Sequence, residues 1–200
     1  MNKKKILIIV GIVLGILLIG MGVTYGIHLN KENKKVYSVI TIDINPSLEL
    51  GLNKKDKVVE VKALNEDAKV IKEEDLKGKE IDKAIDIVVD KLEDKIKDNT
   101  ILINVESENK ELNKKVEKEV KEVLEEKKIE SEVIVQSIEV TEEIKRVAEE
   151  NNISESKASY VLEQIKDVEG IEIKDVIEKN IEEVKEVVEE KKEDIKKKDE

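Results

Sequence analysis

The chain has 200 residues, 37 of them basic and 48 acidic, for a formal net charge of −11 with one histidine. Cys, Phe and Trp are absent and Tyr occurs three times. This excludes disulfides and thiolate chemistry, argues against a His-based triad or metal centre, and leaves the core to Ile, Val and Leu.

Ile6 to Val23 is an uncharged run of Ile, Leu, Val, Gly and Met, extended by Thr24 to Leu29. At ~1.5 Å per residue it spans a bilayer core of ~30 Å as a helix. Lys3, Lys4 and Lys5 suit a signal peptide, but the apolar run exceeds the usual ~7–15 residues and no small-residue cleavage site follows. The expectation is an uncleaved anchor over 6–29, after a short cytoplasmic tail over 1–5. Gly11/Gly15 and Gly22/Gly26 form small-xxx-small pairs, read here as a glycine-tolerant lipid-facing helix. Lys31, Lys34 and Lys35 nearly balance the N-terminal lysines, and the start-like anchor favours a cytoplasmic N-terminus with the bulk of the chain extracytoplasmic. Beyond Asn30, 34 basic residues face 48 acidic ones, a net of −14. Such a surface repels nucleic acid and anionic lipid.

Residues 38–44 alternate, with Ile40, Ile42 and Ile44 on one face and Val39, Thr41 and Asp43 on the other. Leu48, Leu50 and Leu52 continue the pattern past Pro46, the only proline. Proline removes a ladder donor and belongs at strand edges, strand starts or bulges, so its presence between two such strands calls for a reason other than strand propensity. Asn53 to Asp56 reads as a turn and Val58 to Ala63 as the next strand. Lys69 to Lys79 is ambiguous, with a short helix at its start. Ile81, Ala84, Ile85, Val88, Val89, Leu92 and Ile96 recur at helical spacing and predict an amphipathic helix.

Ile101 to Val105 predicts a short strand, and Ser107 is a candidate cap for a helix with its stripe at Leu112, Val116, Val120, Val123 and Leu124. Val133 to Val140 returns as a strand, so a crossover makes this strand and Ile101 to Val105 parallel neighbours. The expected fold class is α+β: a mixed β-sheet with helices on one face over 36–140, preceded by one transmembrane helix and followed by a helical extension. A helical module over 141–168 carries Ile144, Val147 and Ala148, then Ala158, Val161, Leu162 and Ile165, with Ser154 or Ser156 capping its second helix. It superficially resembles a helix-turn-helix, but Lys157 and Lys166 lie among several glutamates, so a packing module is expected. A charged tail over 169–200 is either a solvated helix or a short coiled-coil arm.

Tyr37 to Asp67 contains Asp43-Ile44-Asn45-Pro46-Ser47-Leu48-Glu49, a Val-rich strand from Lys57 and the turn Asn65-Glu66-Asp67. This segment resembles the ectodomain of RsgI-type anti-sigma factors. Asn152-Ile153-Ser154, followed by Lys157-Ala158, is similar to the same family, and the resemblance covers Val36 to about Val168. It implies a single-pass membrane protein coupled to a sigma/anti-sigma system, and an outer domain that cleaves itself between Asn45 and Pro46 with the fragments remaining associated. It also implies later intramembrane proteolysis, which makes the lipid bilayer, a protein partner in the membrane or cytoplasm and an intramembrane protease the expected partners. Only Met1 to Lys5 precede the apolar run, so the expectation is an ectodomain lacking the sigma-binding domain.

The residues at that bond permit the chemistry. An asparagine side-chain nitrogen can attack its own main-chain carbonyl and expel the next nitrogen. The competing deamidation is closed because Pro46 has no N–H. Asp43 and Glu49 are the candidates for proton transfer, brought to the face of Asn45 by a bulge at Pro46, and Ser47 is a third. The alternative is that Asn45-Pro46 is only an Asx-stabilised bulge at a strand edge. An uncleaved interaction or structural domain of the envelope is the alternative function. A hydrolase with paired carboxylates is disfavoured, because the acids lie on helix faces among lysines. No cofactor and no metal are expected, and at most a single self-directed turnover.

Overall fold

The computed structural model describes residues 33–97, 99–107 and 109–199. The apolar run 6–29 lies outside them, and among the described residues no helix is long and apolar enough to cross a membrane.

Among the described residues five strands form one sheet: β1 (Ser38–Asp43), β2 (Ser47–Leu52), β3 (Val58–Ala63), β4 (Thr100–Ser107) and β5 (Glu132–Gln136), in the order β3-β2-β1-β4-β5. β1 occupies the centre, antiparallel to both β2 and β4, while β4 and β5 run parallel as the crossover predicts. The alternation sorts side chains cleanly. Ile40, Ile42, Leu48, Leu50, Ile101 and Ile103 enter one core, whereas Leu102 enters another.

The first core is closed by α2 (Ile81–Ile96) and α3 (Lys110–Lys127), which follow a 3-10 turn (Glu66–Val70) and the one-turn α1 (Glu73–Leu76). Every apolar residue of the two expected stripes is buried there. Asn109, not Ser107, caps α3, its side chain accepting from Glu111 N–H. The hydroxyl of Ser107 instead accepts from Asn109 N–H and meets Ser38 Oγ at 2.7 Å.

Helices on one face only is the expectation that the structure corrects. α4 (Glu142–Asn151), α5 (Glu155–Ile165), the short α6 (Ile173–Val176) and α7 (Ile181–Asp199) bury Ile144, Val147, Val161, Val176, Val184 and Val188 with Leu102 in the second core. The sheet is therefore covered on both sides. α7 does not stand free as an arm: Val184 is fully buried, Glu182 accepts from the Thr100 hydroxyl, and Lys185 pairs with Glu132 of β5. Its weak apolar stripe suffices because each of its few Val and Ile residues lands in an existing core rather than against another copy of itself.

Candidate functional site

β1 and β2 end on the pair Asp43 and Ser47, and three residues, Ile44-Asn45-Pro46, connect them. The expected bulge at Pro46 is thus a turn. The register shift lies instead between Gly51 and Leu52, opposite β3. Pro46 removes no ladder bond there, and its carbonyl accepts from Ile44 N–H at 2.9 Å, closing a ring that contains the whole Asn45–Pro46 peptide.

Asn45 has φ of +66°. Asparagine enters this left-handed region more readily than other residues with a Cβ. A following proline, however, pushes its predecessor toward extended backbone. Residues held against such preferences store roughly 1–3 kcal/mol, and here the strain sits on the Asn45–Pro46 linkage. Pro46 is buried and Asn45 exposed. The turn is pinned from outside by Asn65, whose Oδ1 accepts both Ser47 N–H at 3.2 Å and Ala68 N–H at 3.1 Å, while Leu64 N–H donates to Ser47 C=O at 2.9 Å.

A cavity of about 250 Å³ lies beside the turn, lined by Asp43, Asn45, Ser47, Asn65, Ser154 and Lys157 among others. Asp43 is only 2% exposed. Its Oδ2 accepts from Ser154 Oγ at 2.7 Å, and among the described residues its Oδ1 has no hydrogen-bond partner. Burial pushes the Asp43 carboxyl above its ordinary value. The nearby hydroxyls of Ser47, Ser154 and Ser156 and the charge of Lys157 oppose that rise without cancelling it. Lys157 is shifted the other way, downward, because burial disfavours its ammonium more than Asp43, Glu183 and Glu178 favour it.

Of the residues expected at the site, Asn45, Pro46, Asp43 and Ser47 are brought together by the turn. Glu49 shares the face of Asp43 but lies further along β2, opposite Thr41. It pairs with Lys62 at 3.5 Å and lines a second cavity of about 460 Å³ with Glu106 and Glu155. There the Glu106 carboxyl is raised by burial and then by the charges of Glu155 and Glu49. Asn65, Ser154 and Lys157 complete the first cavity; none of them is among the expected site residues, although Ser154 is one of the two expected caps of the helix it begins. The short polar motifs around Asn65 and Ser154 are a signal, but nothing local says that Asn65 pins Ser47 or that Ser154 meets Asp43 from 111 positions away. Among the described residues no group of His, Asp or Glu is arranged to hold a metal ion.

The described residues thus form a five-stranded mixed sheet between two helical layers, with a strained Asn-Pro turn beside a buried carboxylate. The family described as "Anti-sigma factor RsgI-like central domain" matches residues 37–163, and the chain belongs to it. The chain is also 30% identical over 111 residues to anti-sigma-I factor RsgI7 of Acetivibrio thermocellus, covering 51% of this chain and 21% of that protein. It is 43% identical over 60 residues to anti-sigma-I factor RsgI6 of the same organism, covering 30% of this chain and 8% of that protein. The chain thus spans about a fifth or less of the length of the curated relatives it matches.

Proposed function

We propose that this chain is the membrane-anchored, extracytoplasmic regulatory part of an anti-sigma-factor signalling system, and that it cuts its own backbone once, between Asn45 and Pro46. Residues 6–29 are the anchor in this reading, with the N-terminus cytoplasmic. The partners are the lipid bilayer, a sigma or anti-sigma protein and an intramembrane protease that acts after cleavage.

The observation that carries the self-cleavage reading is the pairing of a strained Asn45 backbone with a buried carboxylate, one oxygen of which has no hydrogen-bond partner among the described residues, on the same cavity. In the step, Asn45 Nδ2 attacks the Asn45 main-chain carbon, and that C–N bond forms as the C–N bond to Pro46 breaks. Asp43 accepts the proton leaving Nδ2 and delivers it to the Pro46 nitrogen. The N-terminal fragment ends in a succinimide, which water opens, and the other begins with the secondary amine of Pro46. Burial serves this role by raising the affinity of Asp43 for a proton above that of a free carboxylate. Strain and orientation supply the rest, since an unassisted amide is a poor nucleophile.

After the cut, β1 remains laddered on both sides, so the fragments hold together until β1 is pulled out. The full chain, purified in detergent and run denatured, should yield a fragment whose first residue is Pro46, and Asn45→Ala should abolish it. A wild-type chain that stays intact under folding conditions leaves only a tethered interaction domain.

A further inference from the structure

We propose that Ser154 and Lys157, at the start of α5, are positioning residues for Asp43, so that the Asn45–Pro46 bond becomes competent only when the second helical layer has docked on the sheet. This rests on the self-cleavage reading and adds the control of that site.

Two independent features support it. The first is the geometry of one hydroxyl. Ser154 is 5% exposed and caps α5, its Oγ accepting from Lys157 N–H at 2.9 Å. The single proton of that hydroxyl is thereby free to be donated, and it goes to Asp43 Oδ2 at 2.7 Å. An ordinary N-cap is exposed and spends its donor on water. This one spends it on a carboxylate 111 positions earlier in the chain. It also sets that carboxylate at the positive end of an 11-residue helix, where a negative charge is favoured.

The second feature is Lys157 itself. It occupies the third position of α5, inside the first turn, where the helix dipole disfavours a cation. It is half-buried as well, which costs an ammonium further. A residue that violates a local rule without serving the helix is expected where a site needs it. Lys157 lines the cavity with Asp43 and Asn45, and its charge favours the carboxylate form of Asp43. The acids facing Lys157 are Asp43 from β1 and Glu178 and Glu183 from the α6–α7 end of the chain. Ser47 is the remaining polar neighbour of Asp43 on β2, and Ser156 on α5.

The consequence is an order of events. Every local feature of the turn, from Asp43 to Asn65, lies within the first 67 residues, but the groups that orient its carboxylate arrive with residues 154–157. Cleavage before α4 and α5 dock would release β1 from an unfinished sheet. Dependence on α5 makes the cut a report that the domain is complete.

The test separates this from the self-cleavage reading by using two readouts on the full chain. In the uncleavable Asn45→Ala background, the Asp43 carboxyl is titrated by carbon NMR with Ser154, Ser154→Ala or Ser154→Thr, and with Lys157→Met or Lys157→Arg. Ser154→Ala and Lys157→Met should move its titration to higher pH, while Ser154→Thr and Lys157→Arg should leave it near the parent value. With Asn45 restored, Ser154→Ala and Lys157→Met should slow cleavage by about tenfold or more near neutral pH. Their pH–rate profiles should be displaced upward, and the conservative variants should recover the parent profile. Dispersed amide spectra in all variants show that the fold is retained. An Asp43 titration unmoved by Ser154→Ala and Lys157→Met overturns the proposal, whether or not the wild type cleaves. A moved titration in a chain that never cleaves upholds the positioning and refutes the self-cleavage.

Discussion

Ile40 is fully buried in the middle of the central strand, opposite Leu50 on β2 and Val105 on β4. Truncating it to alanine removes three carbons from a place hemmed in by two ladders and by α2 and α3, so the surroundings cannot collapse into the gap. A loss of about 2–5 kcal/mol follows. Val39, the next residue, faces the other side of the same strand and is only half-buried, so Val39→Ala should cost well under half as much. Urea denaturation of the Asn45→Ala chain in detergent, followed by circular dichroism, reads both as shifts of the midpoint at constant slope. The same free energy reappears in a cleaved chain, where β1 is the only described strand left on the N-terminal fragment. Retention of that fragment should then weaken by about 30-fold to several-thousand-fold, at ~1.4 kcal/mol per decade. A Val39→Ala loss equal to or larger than that of Ile40→Ala would refute the assignment of the two faces and the central place of β1.

Three further outcomes follow from single contacts. Asp43 has its carboxyl raised by burial, so the folded state holds that proton more tightly than the unfolded chain. Its favourable contribution is present below 3.8 and is lost as pH rises through the folded value. Asp43→Asn should therefore gain stability relative to the parent on going from acid to neutral pH, which paired denaturation curves will show, while cleavage is lost at both. Gly51→Ala places a Cβ 2.9 Å from Val36 Cγ2 and 3.0 Å from Glu60 Cβ. It should cost about 1–3 kcal/mol by overpacking, seen as a lowered melting temperature. Leu102→Ala empties the one β4 position that belongs to the second core. It should cost about 2–5 kcal/mol, and hydrogen exchange should rise first in α4, α5 and α7.

Much of the domain was legible residue by residue. Period-2 alternation over Ile40–Ile44 and Leu48–Leu52 and helical spacing over Ile81–Ile96 are local signals, because each pattern reflects one face meeting one core. The parallel pairing of β4 with β5 followed from the length of the crossover between them. Ser107 and Asn109 are equally good caps for α3 by residue type, and only packing chooses Asn109 over the expected Ser107. The bulge expected at Pro46 became a three-residue turn for a similar reason, since strand ends are set by the partner strand rather than by the proline.

What the residue order alone determined, then, was the chemistry available at Asn45-Pro46 and the membership of each apolar stripe. These depend on neighbours within a few positions. Tertiary structure decided what no window on the chain contains: that a second helical layer covers the sheet, that Glu49 turns away to Lys62, and that a serine and a lysine from α5 reach back to Asp43. Of those contacts, the one from Ser154 to Asp43 spans 111 positions. Their free energy depends on burial and orientation that exist only once both cores have closed.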